Sequence, residues 1–132
     1  AIERFISNYN KLPKRIKQRI VVENDDKMYT IDDCLYINEI CGIPVVFDYF
    51  HHLCNPVKKI YYERIINTWK KNDGNPIFHY SDQLKGGRKG SHSLTINVKE
   101  YKKFKKQIEK YNVDLMLEVK DKEISVLKVK DV

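Results

Sequence analysis

Carboxylate and imidazole side chains recur at the ends of four β-like runs in this chain, and a helix-like segment follows each run. The set consists of Glu23 in IVVEND, Asp48 with His51 in VVFDYFHH, His79 in IFHYS, and Glu118 in DLMLEV. Oxygen and nitrogen donors at matching places in successive βα units can converge on one metal ion. The spacing therefore predicts metal-dependent chemistry on one rim of a parallel sheet.

Asp48 is the member of this set that most clearly indicates a metal ligand, because it ends an otherwise apolar strand. A buried carboxylate is costly unless it is paired or bound to a metal. His51 lies three residues further on, where the chain leaves the strand, and its ring can reach back to the same cation. The adjacent His52 fits three roles: a ligand, a supporting partner of a ligand, or a contact to DNA.

Each of these side chains also has a purely structural interpretation. A strand-end carboxylate such as Glu23 can cap the next helix, and Glu118 can pair with Lys120 or Lys122. A lone histidine at a strand end, such as His79, is more often a hydrogen-bonded core residue than a ligand. The recurrence of such residues on all four strands is what favours a shared metal site.

The mixture of donors narrows the choice of metal and of reaction. A set of Glu, Asp and His side chains suits Mn, Zn or Fe better than Mg, which prefers shells made of oxygen and water. In two-metal sites such ligands clamp the attacking and leaving oxygens of an in-line phosphoryl displacement. The donor set is therefore compatible with metal-dependent phosphoryl chemistry.

A basic, glycine-rich loop with the sequence KGGRKGSHS follows the third run. Its glycines let the backbone approach a phosphodiester closely, and its cations can neutralise the phosphate. The cations are Lys85, Arg88 and Lys89, and His92 at the end of the loop is a further candidate ligand. The alternative is a flexible loop that is only solvated.

Hydrophobic periodicity and capping signals divide the chain into alternating elements. Buried strands are predicted at 19–23, 43–47, 77–81 and 113–119. Helices are predicted at 2–18 with a break near Pro13, from Thr30 to about Ile40, from Asn55 to about Lys71, from Asn97 to about Tyr111, and at 121–130, where a strand is the alternative. Residues 82–96 are predicted to form a long polar loop.

This alternation predicts an α/β fold with a parallel sheet and right-handed crossovers. Four consecutive βα units make half of a TIM-type (β/α)8 barrel, and we expect residues 1–132 to form a single domain. In such barrels active sites are built at the carboxyl ends of the strands, where all four donor positions fall. The chain has no glycine-rich nucleotide motif, which makes a doubly wound sheet the weaker choice.

Composition is that of an ordinary globular domain with a basic charge. The 132 residues are 42% hydrophobic and 33% charged, with a net charge of +7, which suits a polyanionic partner or simply lysine-rich helix faces.

Three cysteines without CxxC spacing predict reduced thiols in an intracellular protein, cytoplasmic or nuclear. No apolar run approaches the roughly 18 residues of a membrane span, and the start lacks a Met and a leader pattern, as a fragment would.

Five stretches together resemble the UV damage endonuclease family, a group of β/α-barrel DNA repair enzymes. They are VVENDDKMYTIDD, IPVVFDYFHH, the HYS of the third strand, the RKGSHS loop and DLMLEVKDKE, within residues 19–123. The resemblance implies a hydrolase that nicks DNA immediately 5′ to pyrimidine dimers and 6-4 photoproducts. It implies a divalent metal, usually Mn, with Zn or Mg as alternatives.

The resemblance also assigns roles to individual residues. The implied metal ligands are Glu23, Asp48, His51, His79, His92 and Glu118, of which Glu23, His79 and Glu118 are also implied to be catalytic. The implied DNA contacts are Lys85, Arg88, Lys89 and Lys122. The chain departs from the family at Ile77, where relatives usually carry a Lys at the metal site, and at Leu94 and Thr95, which replace an Asp-Tyr pair.

The family barrel has an N-terminal half with further His ligands and the residues that probe the damaged strand. Nothing in this chain matches that half, so we expect a C-terminal half-barrel with weak or no activity of its own. Half a barrel leaves two open strand edges. We therefore expect a partner to cover them, either the missing N-terminal half-barrel or a second copy in a homodimer.

Two other functions fit the residues. A different metal-dependent barrel enzyme, such as a sugar isomerase, also places Glu, Asp and His at strand ends, although the basic loop favours DNA over a neutral sugar. A non-catalytic remnant that binds DNA is the third interpretation, and an absence of metal affinity would favour it.

Overall fold

The computed structural model describes residues 1–132. Its helices and strands follow one another in the alternating order that the sequence predicts, with a short 3-10 turn at Lys71–Asp73. In chain order they are α1 (Ile2–Asn10), α2 (Lys14–Lys17), β1 (Val22–Glu23), α3 (Ile31–Cys41), β2 (Val45–Asp48), α4 (Tyr49–Cys54), α5 (Tyr62–Ile66), β3 (Ile77–Tyr80), α6 (Val98–Ile108), β4 (Asp114–Leu117) and α7 (Glu123–Val129).

The four strands form one sheet in the order β1-β2-β3-β4, and all three pairings are parallel. Each strand is hydrogen-bonded to the next strand along the chain, and at least one helix connects each pair. This confirms the predicted α/β fold class of four consecutive βα units, half of a TIM-type barrel. In this arrangement all the strand carboxyl ends lie on one rim.

The hydrophobic core lies between the sheet and its helices. Phe47 of β2 and Phe78 of β3 are both fully buried, and their rings meet edge to face at 5.4 Å. Tyr49 stacks on Phe104 of α6 at 4.2 Å, which ties the rim to the helical layer. Burial of each such side chain contributes about 2–3 kcal/mol to the stability of the fold. Their packing therefore fixes the positions of β2 and β3 relative to each other.

Local capping signals correctly predict where α3 begins and ends and where α6 begins, although α6 ends at Ile108 rather than near Tyr111. Thr30 and Asp33 form a reciprocal capping box at the start of α3, and Gly42 ends that helix with a left-handed φ of 71°. Asn97 caps α6 by accepting hydrogen bonds from the backbone N–H groups of Lys99 and Glu100. These contacts span only a few residues, which is why the sequence reveals them.

The predicted helix over residues 55–71 is wrong. Helix α4 begins before it, because Asp48 Oδ1 accepts a hydrogen bond from the backbone N–H of His51 and caps the helix there. Asn55 is the last residue of that turn rather than an N-cap, and Pro56 cannot continue the helix. Within the predicted range the structure contains only the five-residue helix α5 and the 3-10 turn.

The first strand is shorter than the predicted range 19–23. Only Val22 and Glu23 pair with β2. The backbone N–H groups of Arg19 and Ile20 instead donate to carbonyls of helix α2, at Ile16 and Lys17. Closure of that helical turn therefore takes the first residues out of the sheet.

Both edges of the sheet are open to apolar grooves. A groove of about 450 Å³ lies beside β1, where Phe5, Val22 and Ile37 contribute to its walls. A second groove of about 510 Å³ lies along β4, where Met116 is half exposed and Val126 faces it. The longest helices, α3 and α6, have 11 residues each, and no helix has the length and apolar composition needed to cross a bilayer.

Candidate metal centre

Four of the predicted ligands converge at the carboxyl ends of the strands. One donor atom from each of Glu23, Asp48, His79 and Glu118 lies within 4.8 Å of the corresponding atoms of the other three. Glu23, Asp48 and His79 lie in β1, β2 and β3, and Glu118 directly follows β4. The arrangement is one that a single divalent cation could bridge.

Strand register explains why the outer members are glutamates. Asp48 and His79 are direct register partners, so they lie at the same height on neighbouring strands. Glu23 is paired with Val46, and His79 with Met116, so each glutamate is displaced by two residues from that height, in opposite directions. The additional methylene of Glu relative to Asp lengthens the reach of both side chains toward the shared point.

Asp48 is the member whose burial most favours a bound cation. Its side chain is completely buried, and its Oδ2 has no hydrogen-bond partner. Burial raises the pKa of this carboxyl to about 6, although the N–H of His51 and the nearby imidazole work in the opposite direction. A buried acceptor without a donor is costly, and a divalent cation would satisfy it.

Glu23, His79 and Glu118 form a chain of charged contacts around that point. The Nδ1 atom of His79 lies 3.1 Å from Glu23 Oε1 and 3.3 Å from Glu118 Oε1. Burial alone would lower the pKa of His79, but the hydrogen bond and the charges of these carboxylates raise it overall. Burial likewise acts to raise the pKa of Glu23, and the contact with His79 lowers it overall.

His51 and His92 flank the cluster with one nitrogen of each ring already occupied. His51 Nδ1 lies 2.9 Å from the carbonyl oxygen of Asn24, and His92 Nδ1 lies 2.7 Å from that of Glu118. A carbonyl only accepts, so each Nδ1 must carry the proton, and in the neutral ring Nε2 keeps its lone pair. Nε2 is therefore the free nitrogen of each neutral ring, and neither His51 nor His92 belongs to the group of four clustered donors.

The structure shows that His51 lies in a helix and that His52 is not one of the clustered donors. His51 lies within helix α4 and not in a strand-to-helix loop, because the cap from Asp48 starts that helix immediately after β2. His52 points away from the four-residue cluster and packs against Phe47 at a ring distance of 5.8 Å. Its Nδ1 is buried without a partner, and burial lowers its pKa.

The basic loop is anchored at both ends and exposed in the middle. Asp82 binds the hydroxyl of Tyr80 at 2.7 Å and the backbone N–H of Asn97 at 2.7 Å, so it joins β3 to the start of α6. A single antiparallel bridge between Gln83 and His92 closes the loop. The loop cations are Lys85, Arg88 and Lys89, all of which are exposed.

A close approach sets the position of the loop relative to β1. A Cβ atom on Gly90 would collide with the carboxylate of Asp26, and the φ of Gly90 is +88°. The left-handed backbone conformation favours glycine here, and a side chain at this position would also displace the Asp26 carboxylate in the turn that follows Glu23. Lys122 lies beyond the loop, exposed at the start of α7, with a positive φ of 47°.

One buried residue of the site has no role in the sequence-based prediction. Asn24 is 1% exposed, and its side-chain amide is hydrogen-bonded to the backbone of Asp48. The available signal is a single amide directly after the strand-end Glu23, which is also typical of a turn. Ile77, at the place where relatives usually carry Lys, lies beside the groove along β4.

The family model for UV-endonuclease UvdE matches residues 1–131. The chain belongs to this family. Among UvdE relatives, the UV DNA damage endonuclease of Clostridium perfringens is 40% identical over 97% of this chain. That of Bacillus mycoides is 37% identical over 98% of it.

The crystal structure of SacUVDE matches the fold with a TM-score of 0.88 and 43% identity over 96% of this chain. The matched region is a minor part of each UvdE relative: 32% of the Clostridium protein, 42% of the Bacillus protein and 43% of the SacUVDE chain. The 132 residues therefore span less than half the length of these proteins.

Proposed function

We propose that residues 1–132 form a single domain, the C-terminal half-barrel of a metal-dependent DNA repair endonuclease. The intact enzyme would hydrolyse the phosphodiester immediately 5′ to UV photoproducts. The observation that carries this proposal is the convergence of Glu23, Asp48, His79 and Glu118 on one point at the strand carboxyl ends. Relatives named UV DNA damage endonucleases support the substrate class, and DNA as substrate implies an intracellular place of action.

The same four side chains would hold a divalent cation, which we propose to be Mn. The free Nε2 atoms of His51 and His92 are the further candidate ligands, since both Nδ1 atoms donate to backbone carbonyls. Nitrogen and oxygen donors together favour Mn or Zn over Mg. When bound, the cation would activate water and stabilise negative charge on the reacting phosphate.

Glu23, His79 and Glu118 are the residues we assign to catalysis. His79 Nδ1 lies between a carboxylate of Glu23 and one of Glu118, so its proton can be held or passed along a chain of hydrogen bonds. Because the pKa of His79 is raised, the ring keeps its proton to a higher pH than a free imidazole. A bound cation would displace this proton, so in the loaded site His79 would serve catalysis as a ligand that holds the cation.

The exposed cations of the basic loop and Lys122 are proposed to contact DNA phosphates. Alanine at Lys85, Arg88 and Lys89 is expected to weaken DNA binding and to reduce the salt slope of log K by about 3 units. A matched control replaces Lys99, Lys102 and Lys106, three exposed lysines of helix α6. Fluorescence anisotropy across a salt series measures both, and equal slopes for the two triple variants would argue against this interface.

The open groove beside β1 and that along β4 are proposed to receive a complementary half-barrel. The longer relatives have the additional length for such a segment, since this chain matches less than half of each. A second copy offers the same two edges, because β4 of one copy can pair in parallel with β1 of the other. Light scattering should show a mass above 15.8 kDa that increases with concentration. A monomer with a cooperative melt would contradict the need for a partner.

Complementation tests the activity directly. The part of the Clostridium perfringens protein that this chain does not match is co-expressed with the chain and assayed with Mn on plasmid DNA. We expect nicking of irradiated plasmid by the pair and weak or no nicking by the chain alone. Glu118→Gln in this chain should abolish nicking by the pair, because that change removes the charge of one ligand without changing the size of the side chain. Equal nicking of irradiated and unirradiated plasmid would reject the proposed substrate.

A further inference from the structure

Asn24 occupies the position where the pairing of β1 with β2 ends. The last register pair of these strands joins Glu23 to Val46. Two residues later on β2, the side-chain amide of Asn24 takes over: its Oδ1 accepts from the backbone N–H of Asp48 at 2.9 Å, and its Nδ2 donates to the carbonyl oxygen of Asp48 at 2.9 Å. The side-chain amide therefore extends the hydrogen bonding between β1 and β2 by one more residue pair.

The same residue also contacts a second candidate ligand. Its backbone carbonyl accepts the hydrogen bond from Nδ1 of His51 at 2.9 Å. That bond selects the ring tautomer with a free Nε2 and fixes the ring plane. Asn24 thus links three predicted ligands: Glu23 by the adjacent peptide bond, Asp48 by its backbone, and His51 by its ring.

We infer that Asn24 is a positioning residue of the metal centre, acting through Asp48 and His51 without contacting the cation. This inference rests on the proposed function, because it concerns the same site. The side chain is 1% exposed and both of its polar atoms are used, so its placement is fixed by the fold.

The chemistry of the amide explains why no other side chain serves equally well. A carboxylate would place an acceptor against the carbonyl of Asp48, and alanine would leave two backbone groups of Asp48 without partners. Glutamine is longer by one methylene and would displace the strand end. Only a short side chain with one donor and one acceptor matches both backbone groups at this distance.

The experiment compares Asn24→Ala with Asn38→Ala in the full chain. Asn38 is a matched control because its Nδ2 also donates to a backbone carbonyl, that of Ile43, at 2.9 Å, away from the cluster. Mn affinity is measured by electron paramagnetic resonance of the free ion, and folding by circular dichroism melts. We expect Asn24→Ala to weaken Mn binding at least about tenfold and Asn38→Ala to leave it unchanged.

A second readout does not require the metal. Nitrogen NMR of the metal-free chain at mildly alkaline pH should show His51 with its proton on Nδ1. Asn24→Ala keeps the carbonyl that accepts this proton but removes the two amide hydrogen bonds that hold residue 24 in place, so it should give a mixture of tautomers. If Asn24→Ala does not fold, Asn24→Asp has the same side-chain length, keeps the acceptor for the backbone N–H of Asp48 and loses the donor to its carbonyl oxygen, so it should also weaken Mn binding. An unchanged tautomer, or equal Mn affinity in the two asparagine variants, would overturn the inference. A wild-type chain without Mn affinity that shows the tautomer change would reject the proposed metal site but retain the positioning role.

Discussion

The Asp48→Asn variant is expected to lose more than about 100-fold in Mn affinity while the metal-free protein becomes more stable. The loss follows because Asp48 is the innermost and most buried of the four donors, and an amide carries no charge for the cation. The gain follows because the amide removes a buried charge whose Oδ2 has no partner. Opposite effects on affinity and stability are typical of a residue that is retained for function.

The magnitude of the gain comes from the pKa of Asp48, which burial raises to about 6. A raised carboxyl pKa means that the folded protein binds more protons than the unfolded chain, so stability falls as pH rises through this range. A shift of about two pKa units corresponds to roughly 2–3 kcal/mol at neutral pH. The amide oxygen of the Asp48→Asn variant can still accept from the backbone N–H of His51, so the cap of helix α4 is kept.

Calorimetry of Mn binding and thermal melts with and without chelator measure both effects. Asp82→Asn is the matched control, since Asp82 lies on the same rim but binds Tyr80 and Asn97 and lies outside the four-residue cluster. It should keep Mn affinity. Wild-type affinity in Asp48→Asn, or a melting temperature below that of the wild type in chelator, would show that Asp48 does not have this role.

Acidification is expected to weaken Mn binding by about tenfold for each pH unit below the pKa of His79, because the cation must displace the proton of that ring. The nearby carboxylates of Glu23 and Glu118 raise this pKa above its usual value. The loss should therefore begin above the ordinary histidine pKa of 6.5. It should become steeper near pH 6, where Asp48 also takes up a proton.

The stability of the metal-free protein should change in the opposite sense. A raised His79 pKa gives stability that is present below the unfolded value of 6.5 and is lost as pH rises through the folded value. Asp48 adds to this decline at lower pH. Glu23, whose pKa is lowered, opposes it only below about its unfolded value of 4.5. His79 and Asp48 therefore favour the metal-free fold on the acidic side of neutrality, where Mn binds worst, whereas His52, whose pKa is lowered by burial, acts in the opposite sense.

Titrations with Mn at a series of pH values, paired with melts in chelator, measure the two trends. His79→Asn provides the control, because the part of the pH dependence that comes from this imidazole should disappear. An Mn affinity that stays constant from about pH 8 to pH 6 would exclude His79 as a ligand that competes with a proton.

Much of the fold could be predicted because its signals are local. The capping box of Thr30 and Asp33, the left-handed Gly42 and the cap at Asn97 involve residues no more than a few positions apart. The incorrect prediction of a helix over residues 55–71 shows the limit of such local signals. Asn55 followed by Pro56 is a valid helix start in isolation, but the cap supplied by Asp48 places a helix ahead of it.

The sequence by itself determined which residue types stand at the ends of four successive strands, and hence the parallel half-barrel and its candidate metal donors. Only the tertiary structure decided how those donors meet. The two-residue offset of Glu23 and Glu118, the tautomers of His51 and His92, and the amide bridge of Asn24 depend on contacts between residues 23 or more positions apart. Such contacts are set by strand register and side-chain packing across the whole sheet, which no local pattern encodes.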